Sequence, residues 1–213
     1  MIRRFVSGDP GLVLDVASCI VGSSDIYGDE DRLPLHSINF ISCHDGFTLY
    51  DLVSYNGKHN EAKGRVKTIA TTAITIYPGI AALKVRPKMR RSWRSAAASQ
   101  KLDEYPALKP RGPMLLAGDE VLHTQKGNNT WCQDNDLSWF DWNLVEKNGD
   151  MLRFMKELIA LRRWHPNLRR RELLTGEQVG RGGLRDIAWH GYKLDEPLWA
   201  LLELNIWLIP WPD

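Results

Sequence analysis

Apolar residues recur with helical spacing in two parts of the chain. Residues 9–27 predict a helix that ends at Gly22, followed by a polar loop. Its inward positions are Leu12, Val13, Val16 and Ile20. Residues 150–164 predict a longer helix, with Asp150 as its N-cap and Pro166 ending it. One face of this second helix carries Met151, Leu152, Met155, Leu158, Ile159 and Arg162.

Short apolar runs predict strands between and after these helices. Residues 36–42 and 113–117 each form such a run, and residues 186–194 alternate as a strand does. Residues 47–55 begin a loop or a helix, and the polar, Asn-rich and Trp-rich stretch 121–143 predicts a long structured loop.

Charged side chains follow the first two predicted strands directly. His44 and Asp45 come after one, and Asp119 and Glu120 after the other. In a parallel (β/α)-type barrel this end of the strands carries the chemistry. Asp and Gly after a strand also make ordinary turns, so on these residues alone a functional and a structural role both stay open.

Composition is that of an ordinary globular protein, with 43% apolar and 25% charged residues among 213. No stretch has the roughly 18 uncharged apolar residues of a membrane helix, and no apolar signal segment opens the chain. The three cysteines, Cys19, Cys43 and Cys132, form no CxxC pair, which argues against a disulfide framework or a zinc site. We therefore expect a cytoplasmic protein without a membrane partner.

Charge is distributed unevenly. Residues 65–111 hold eleven lysines and arginines against two acids, a net charge of +9, whereas the remainder carries −7. This basic stretch has three interpretations: a nucleic-acid surface, a solvated surface, or a stretch that is not authentic protein sequence. The aromatic residues that an RNA-binding surface interleaves are few here, so we expect no nucleic-acid partner.

Two long motifs are more specific than any single residue. These are SINFISCHDGFTLYDLVSYNGKHNEA over 37–62 and GPMLLAGDEVLHTQKGNNTWCQDNDLSWFDW over 112–142. The first resembles the region of the third catalytic carboxylate of α-amylase-clan glycoside hydrolases, most closely the isoamylase-type glycogen debranching enzymes. The second resembles their eighth barrel strand and the loop after it. Residues 1–13 and 186–191 are also similar to this family, so the resemblance covers about two-thirds of the chain.

The resemblance implies hydrolysis of α-1,6 branch linkages in glycogen or limit dextrin by a pair of carboxylates. Asp45 matches the third carboxylate, which stabilises the transition state, and His44 matches the imidazole that binds a sugar hydroxyl. Asp119 and Glu120 match a loop that shapes the cleft rather than the catalytic pair, and His59 and Asn60 match residues that line the sugar site. No cofactor and no metal are implied, and the histidines lack metal-ligand spacing.

The resemblance also implies that the chain is catalytically incomplete. In the family the nucleophile and the acid/base precede the segment matched here, and nothing in this sequence resembles either. We expect an α/β chain: residues 1–166 form the C-terminal part of a (β/α)8 barrel, and 167–213 begin a β-sandwich domain. We expect a fragment of a debranching enzyme that is inactive alone. The alternative is a non-catalytic glucan-binding or structural remnant of a disrupted gene.

The middle and the end of the chain depart from the family. Between Gly64 and Gly112 the resemblance stops and then resumes, and it stops again near Leu198. With synonymous codons chosen freely, the bases for 69–89 and 198–213 read one register over spell sequence close to the family's. We therefore predict that 65–108 and 198–213 are frame-shifted and lack a selected hydrophobic pattern.

Overall fold

A computed structural model describes residues 4–5, 9–23, 26, 33, 36, 38–55, 58–60, 112–129, 134–179 and 183–190. The predicted frame-shifted segments 65–108 and 198–213, the basic stretch 65–111 and Cys132 lie outside these residues. In chain order the helices and strands are α1 Val13–Val21, β1 Ile38–Asn39, α2 Leu49–Ser54, β2 Gly112–Pro113, a 3-10 helix Asp119–Val121, α3 Asn143–Lys147, α4 Gly149–Trp164, a 3-10 helix Pro166–Arg169, β3 Gln178–Val179 and β4 Leu184–Arg185.

Helix α1 confirms the first helical prediction. It buries Val13, Val16 and Ala17, and it ends at Gly22, whose φ of 125° suits a residue without a Cβ. The backbone N–H of Gly22 donates to the carbonyl oxygen of Ser18, which closes the last turn.

Helix α4 confirms the strongest helical prediction, with two corrections. It ends before Pro166, because a residue that precedes proline avoids helical backbone angles. Its N-cap is Asn148 rather than Asp150, and Asp150 lies exposed in the first turn, 3.5 Å from the Arg153 guanidinium. Met151, Met155 and Leu158 are buried, but Ile159 is exposed, because the buried face is narrower than the predicted one.

The strands β1 and β2 pair in parallel, with Ile38 opposite Gly112 and Asn39 opposite Pro113. The N–H of Met114 donates to the carbonyl oxygen of Asn39 at 2.9 Å. Both strands are shorter than the predicted runs, but their parallel pairing brings the loops after them to the same edge. This edge carries the candidate site.

A hydrophobic core lies behind that edge and joins α2 to α4. Its buried members are Ile41, Phe47, Leu49, Leu52, Val53, Leu122, Met151 and Met155. Helix α2 is capped by Thr48, whose hydroxyl accepts from the N–H of Asp51 at 3.2 Å. The Asn148 amide donates to the carbonyl oxygen of Val121 at 2.7 Å, which fixes the start of α4 to the first 3-10 helix.

The predicted strand 186–194 is not formed over 186–190, where only His190 makes an isolated β-bridge, and residues 191–194 lie outside the described residues. The antiparallel pair β3–β4 ends at Arg185, and the Asp186 carboxylate instead accepts from the backbone N–H groups of Thr175 and Gly176 at 2.9 and 2.7 Å. Arg170 lies 3.6 Å from the same carboxylate. The division into domains at residue 166 stays a prediction. None of the helices formed by the described residues is long and apolar enough to cross a membrane.

Candidate functional site

A cleft of about 300 Å³ opens where the loops after β1 and β2 meet. It is lined by Cys43, His44, Gly46, Thr48, Leu116, Ala117, His123, Gln125, Ser138 and Phe140. The first four residues follow β1, the next four follow β2, and the last two come from the loop that leads to α3. The cleft therefore lies beyond the carboxyl ends of two parallel strands, where α/β proteins commonly bind ligands.

His44 and Asp45 lie in the turn after β1 and are exposed. Their side chains are 63% and 72% accessible, and Nε2 of His44 is 3.2 Å from Oδ1 of Asp45. His44 lines the cleft, whereas Asp45, the next residue in the chain, is not among the lining residues. An accessible carboxylate held beside an imidazole can interact with hydroxyl groups of a ligand or with developing positive charge.

Asp119 is buried rather than exposed to the cleft. Its side chain accepts from the Ser42 hydroxyl and, at 2.9 Å, from the backbone N–H of Leu49. Burial is the main cause that raises the pKa of Asp119 to about 6, against the opposing effect of these two hydrogen bonds. Asp119 thus ties the first 3-10 helix to the end of β1 and the start of α2, and it supports the site from behind.

Glu120, predicted alongside Asp119, is half-buried. Its carboxylate accepts from the backbone N–H of Gly118 at 2.8 Å, inside its own turn. Gly118 has a φ of 101°, and a Cβ built there would lie 2.8 Å from the Cβ of His123. Neither side chain lines the cleft: Glu120 bonds within its own turn, and Asp119 bonds to Ser42 and Leu49 of the first motif.

Asp51 is a site residue that the sequence analysis missed. It is fully buried and accepts from the Thr124 hydroxyl at 2.5 Å and from the backbone N–H groups of Gln125 and Gly127 at 2.8 and 3.2 Å. Burial raises its pKa, and these hydrogen bonds oppose the rise. The available signal was an acid within an otherwise apolar helical stretch, LYDLVSY.

The residues 123–129, termed the 123–129 loop, are also held by His59 and Asn60. The backbone N–H of His59 donates to the carbonyl oxygen of Gly127 at 2.8 Å. The Asn60 amide donates to Oδ1 of Asn129 at 2.7 Å and accepts from its N–H at 3.2 Å. His59 and Asn60 were expected to line the sugar site, but the structure places both against this loop and outside the cleft lining.

His123 and two aromatic residues form a row of rings at the cleft. The imidazole of His123 stacks on Phe140, with ring centroids 6.2 Å apart and planes 15° apart. Phe140 in turn contacts Trp142 edge to face, with centroids 4.7 Å apart. Burial lowers the pKa of His123, so the ring is neutral near pH 7.

Metal binding finds no support among the residues that the structure describes. Within them, no group of three or more His, Cys, Asp or Glu side chains could hold an ion. Cys19 and Cys43 are both free thiols.

Sequence comparison with known proteins finds several related proteins. The chain is 42% identical over 200 residues to the glycogen operon protein GlgX homolog of Mycobacterium bovis, covering 88% of the chain and 26% of that protein. It is 38% identical over 211 residues to the glycogen debranching enzyme of Pectobacterium atrosepticum, covering 98% and 31%. Isoamylase 1 of Oryza sativa, a chloroplastic protein, is 30% identical over 94% of the chain and 24% of its own length. No family model matches the chain.

Among solved structures, a pullulanase from Paenibacillus barengoltzii in complex with maltohexaose and α-cyclodextrin matches the fold. The TM-score is 0.56 at 23% identity, over 79% of this chain and 22% of the pullulanase. The shared fold agrees with the predicted α/β, barrel-type architecture. The chain spans about a quarter to a third of the length of the curated relatives that it matches.

Proposed function

We propose that this chain, a homologue of one segment of the glycogen debranching enzymes and isoamylases, forms part of the substrate cleft of an α-glucan debranching hydrolase. The reaction is hydrolysis of α-1,6-glucosidic branch linkages in glycogen or limit dextrin. The observation that supports this most directly is the exposed pair His44–Asp45 at the carboxyl end of a parallel strand, beside an open cleft.

In this proposal Asp45 stabilises the positive charge of the transition state. Cleavage of a glycosidic bond passes through an oxocarbenium-like state, in which positive charge develops on the sugar ring. A carboxylate that contacts the sugar hydroxyls strengthens its interaction as that charge grows, and this lowers the barrier rather than merely tightening binding. His44 donates to or accepts from a neighbouring hydroxyl and keeps the ring in place.

The two buried carboxylates near the cleft do not form a catalytic pair. Asp51 and Asp119 are both buried, and each accepts hydrogen bonds from the protein with both of its oxygens. A retaining glycosidase needs one nucleophile and one acid/base, with carboxyl groups about 5 Å apart. We therefore expect these two groups to come from the rest of the longer enzyme.

A non-catalytic glucan-binding role is the second candidate for the chain by itself. It is favoured by the same observation, since Asp45 is exposed whereas Asp51 and Asp119 are buried. Binding and hydrolysis are thus separable. The isolated chain should bind a malto-oligosaccharide but release no reducing ends from branched glucan.

The test joins the chain to the upstream segment that its relatives carry and measures release of linear chains from limit dextrin. Asp45→Asn should lower the turnover number roughly a hundredfold or more, because the amide carries no negative charge. Asp150→Asn, an exposed acid on α4, is the matched control and should retain the full rate. Turnover of Asp45→Asn at the unaltered rate would remove Asp45 from the catalytic set, and hydrolysis by the isolated chain would refute the assignment of the catalytic pair to the upstream segment of the relatives.

A further inference from the structure

His44 and Asp45 are the two central residues of a tight turn. The backbone N–H of Gly46 donates to the carbonyl oxygen of Cys43 at 3.1 Å, which closes the turn around them. Both side chains are more than half exposed, so their position follows from that of the turn's backbone. A group that fixes the turn therefore also fixes where the Asp45 carboxylate lies.

The carboxylate of Asp119 binds both ends of the segment that contains this turn. Its Oδ2 accepts from the hydroxyl of Ser42, the residue before the turn, and its Oδ1 accepts from the backbone N–H of Leu49 at 2.9 Å. Asp119 is only 1% exposed, and both of its partners are buried as well. Hydrogen bonds to a carboxylate are stronger than those between neutral groups, and burial keeps water from competing for them. Asp119 thus joins the two ends of the segment 42–49 across its base.

Asp119 is itself held in place by two other parts of the fold. Its backbone N–H donates to the carbonyl oxygen of Leu116, in the stretch after β2, at 3.1 Å. It also begins the first 3-10 helix, which is tied to the start of α4 by the 2.7 Å hydrogen bond from Asn148 to Val121. The two bonds of the Asp119 carboxylate therefore fix the turn after β1 relative to β2 and to α4.

We infer that Asp119 is a positioning residue for the proposed reaction and that it acts through Asp45. The inference rests on the proposed function, in which Asp45 stabilises the transition state. Asp119 is buried and does not line the cleft, so its contribution is to hold the turn that carries Asp45. A displacement of about 1 Å near a catalytic centre can lower the rate about a hundredfold. A loosened turn should therefore slow turnover more than it weakens substrate binding.

Hydrogen–deuterium exchange of the full 213-residue chain tests the two bonds themselves. Asp119→Ala should accelerate exchange in peptides that cover 43–49 roughly tenfold, because both ends of the segment lose their partner. Ser42→Ala removes one of the two bonds and should accelerate exchange less. Asp119→Asn should keep the protection, because its amide oxygen can accept from Leu49 while its nitrogen donates to the Ser42 hydroxyl.

Asp186→Ala is the matched control for the loss of a buried carboxylate. The Asp186 side chain is 2% exposed and accepts from two backbone N–H groups, as Asp119 accepts from two donors, but its backbone donors are Thr175 and Gly176. This variant should leave exchange over 43–49 unchanged. A general loss of stability would accelerate exchange there in both alanine variants.

Turnover by the joined enzyme of the preceding subsection tests the consequence for catalysis. Asp119→Ala should lower the turnover number roughly tenfold or more and change KM by less than about twofold, and Asp119→Asn should restore most of the rate. The double variant Asp45→Asn/Asp119→Ala should turn over no more slowly than Asp45→Asn alone, because Asp119 acts through a charge that is already gone. A purely structural role for Asp119 would make the two losses multiply.

The outcomes separate this inference from the proposed function. If Asp45→Asn slows turnover but Asp119→Ala does not, or if the two losses multiply, the positioning role is refuted and the proposed function stands. Unchanged exchange over 43–49 in both Asp119→Ala and Ser42→Ala would also refute the positioning role. If Asp45→Asn keeps the unaltered rate, both the proposed function and this inference are refuted. Should Asp119→Ala fail to fold, Ser42→Ala, alone and combined with Asp45→Asn, decides by the same criteria.

Discussion

At the scale of single residues, buried acids rather than the exposed Asp45 hold the segments around the site together. Asp51 and Asp119 come from α2 and the first 3-10 helix, and each accepts hydrogen bonds from a different segment. Multiple donors compensate part of the cost of burying a carboxylate. The exposed Asp45 is thereby left free of this supporting role.

The raised pKa of Asp119 makes a testable contribution to stability. The pKa is about 6 in the folded chain against 3.8 in an unfolded one, so the folded state binds the proton more tightly. The free energy of unfolding should therefore fall as the pH rises from about 4 to 6, by up to about 3 kcal/mol, and change little from this group above that. Asp119→Asn, whose amide can serve both Ser42 and Leu49, should remove this part of the pH dependence.

Urea unfolding of the unaltered chain and of Asp119→Asn at pH 4, 5, 6 and 7 checks this expectation. The difference between the two proteins isolates Asp119 from the other titrating groups. A difference that stays constant over this range would show that Asp119 titrates alike in the folded and unfolded chain.

At the scale of elements, the 123–129 loop is shaped by what packs beneath it. Gly127 has a φ of 79°, and a Cβ built there would lie 2.8 Å from Cδ2 of His59 and 2.9 Å from Cδ1 of Tyr55. The loop is therefore pressed against this pair of rings, which are themselves 5.2 Å apart between centroids. Only glycine satisfies both the backbone angle and the close approach.

Gly127→Ala should destabilise the chain by about 1–3 kcal/mol, because a strained backbone angle and a steric overlap coincide. Gly149→Ala is the matched control, since a Cβ at Gly149 meets nothing within 4 Å in the first turn of α4. That control should be neutral or slightly stabilising. Thermal unfolding of both variants decides the matter, and equal midpoints would contradict the packing described for the loop.

The periodic elements were predictable from sequence, and the loop contacts were not. Helix α4 followed from its spacing of apolar residues and from Pro166, and α1 followed from its spacing and Gly22. The roles of Asp119, His59 and Asn60 depend on hydrogen bonds to residues about 70 positions away, which no local pattern encodes. The same distance explains why Asp51 was missed.

At the scale of the whole molecule, the described parts join two distant motifs of the sequence into one site. Residues 38–60 and 112–129 share the β1–β2 pairing, the core around Phe47 and the hydrogen bonds of Asp51 and Asp119. That the segment 65–108, between these motifs, is frame-shifted and carries no selected pattern stays a prediction.

The coding DNA tests that prediction directly. No acid occurs between Glu61 and Asp103, and Gly79 is the sole Gly, Asn or Asp from residue 65 to 102, although a natural basic loop would carry several such turn residues. A shifted register explains both features, because its codons were never selected for charge balance or for turns. A true insertion would instead lengthen the spacing between the two motifs, which is close to the family's.

We expect the codons for 69–89 and 198–213 to spell an Asn-rich, family-like stretch and a strand-like stretch in a neighbouring register. If they spell neither, the shift is refuted, and the net charge of +9 over 65–111 requires a functional explanation, such as binding to a polyanion.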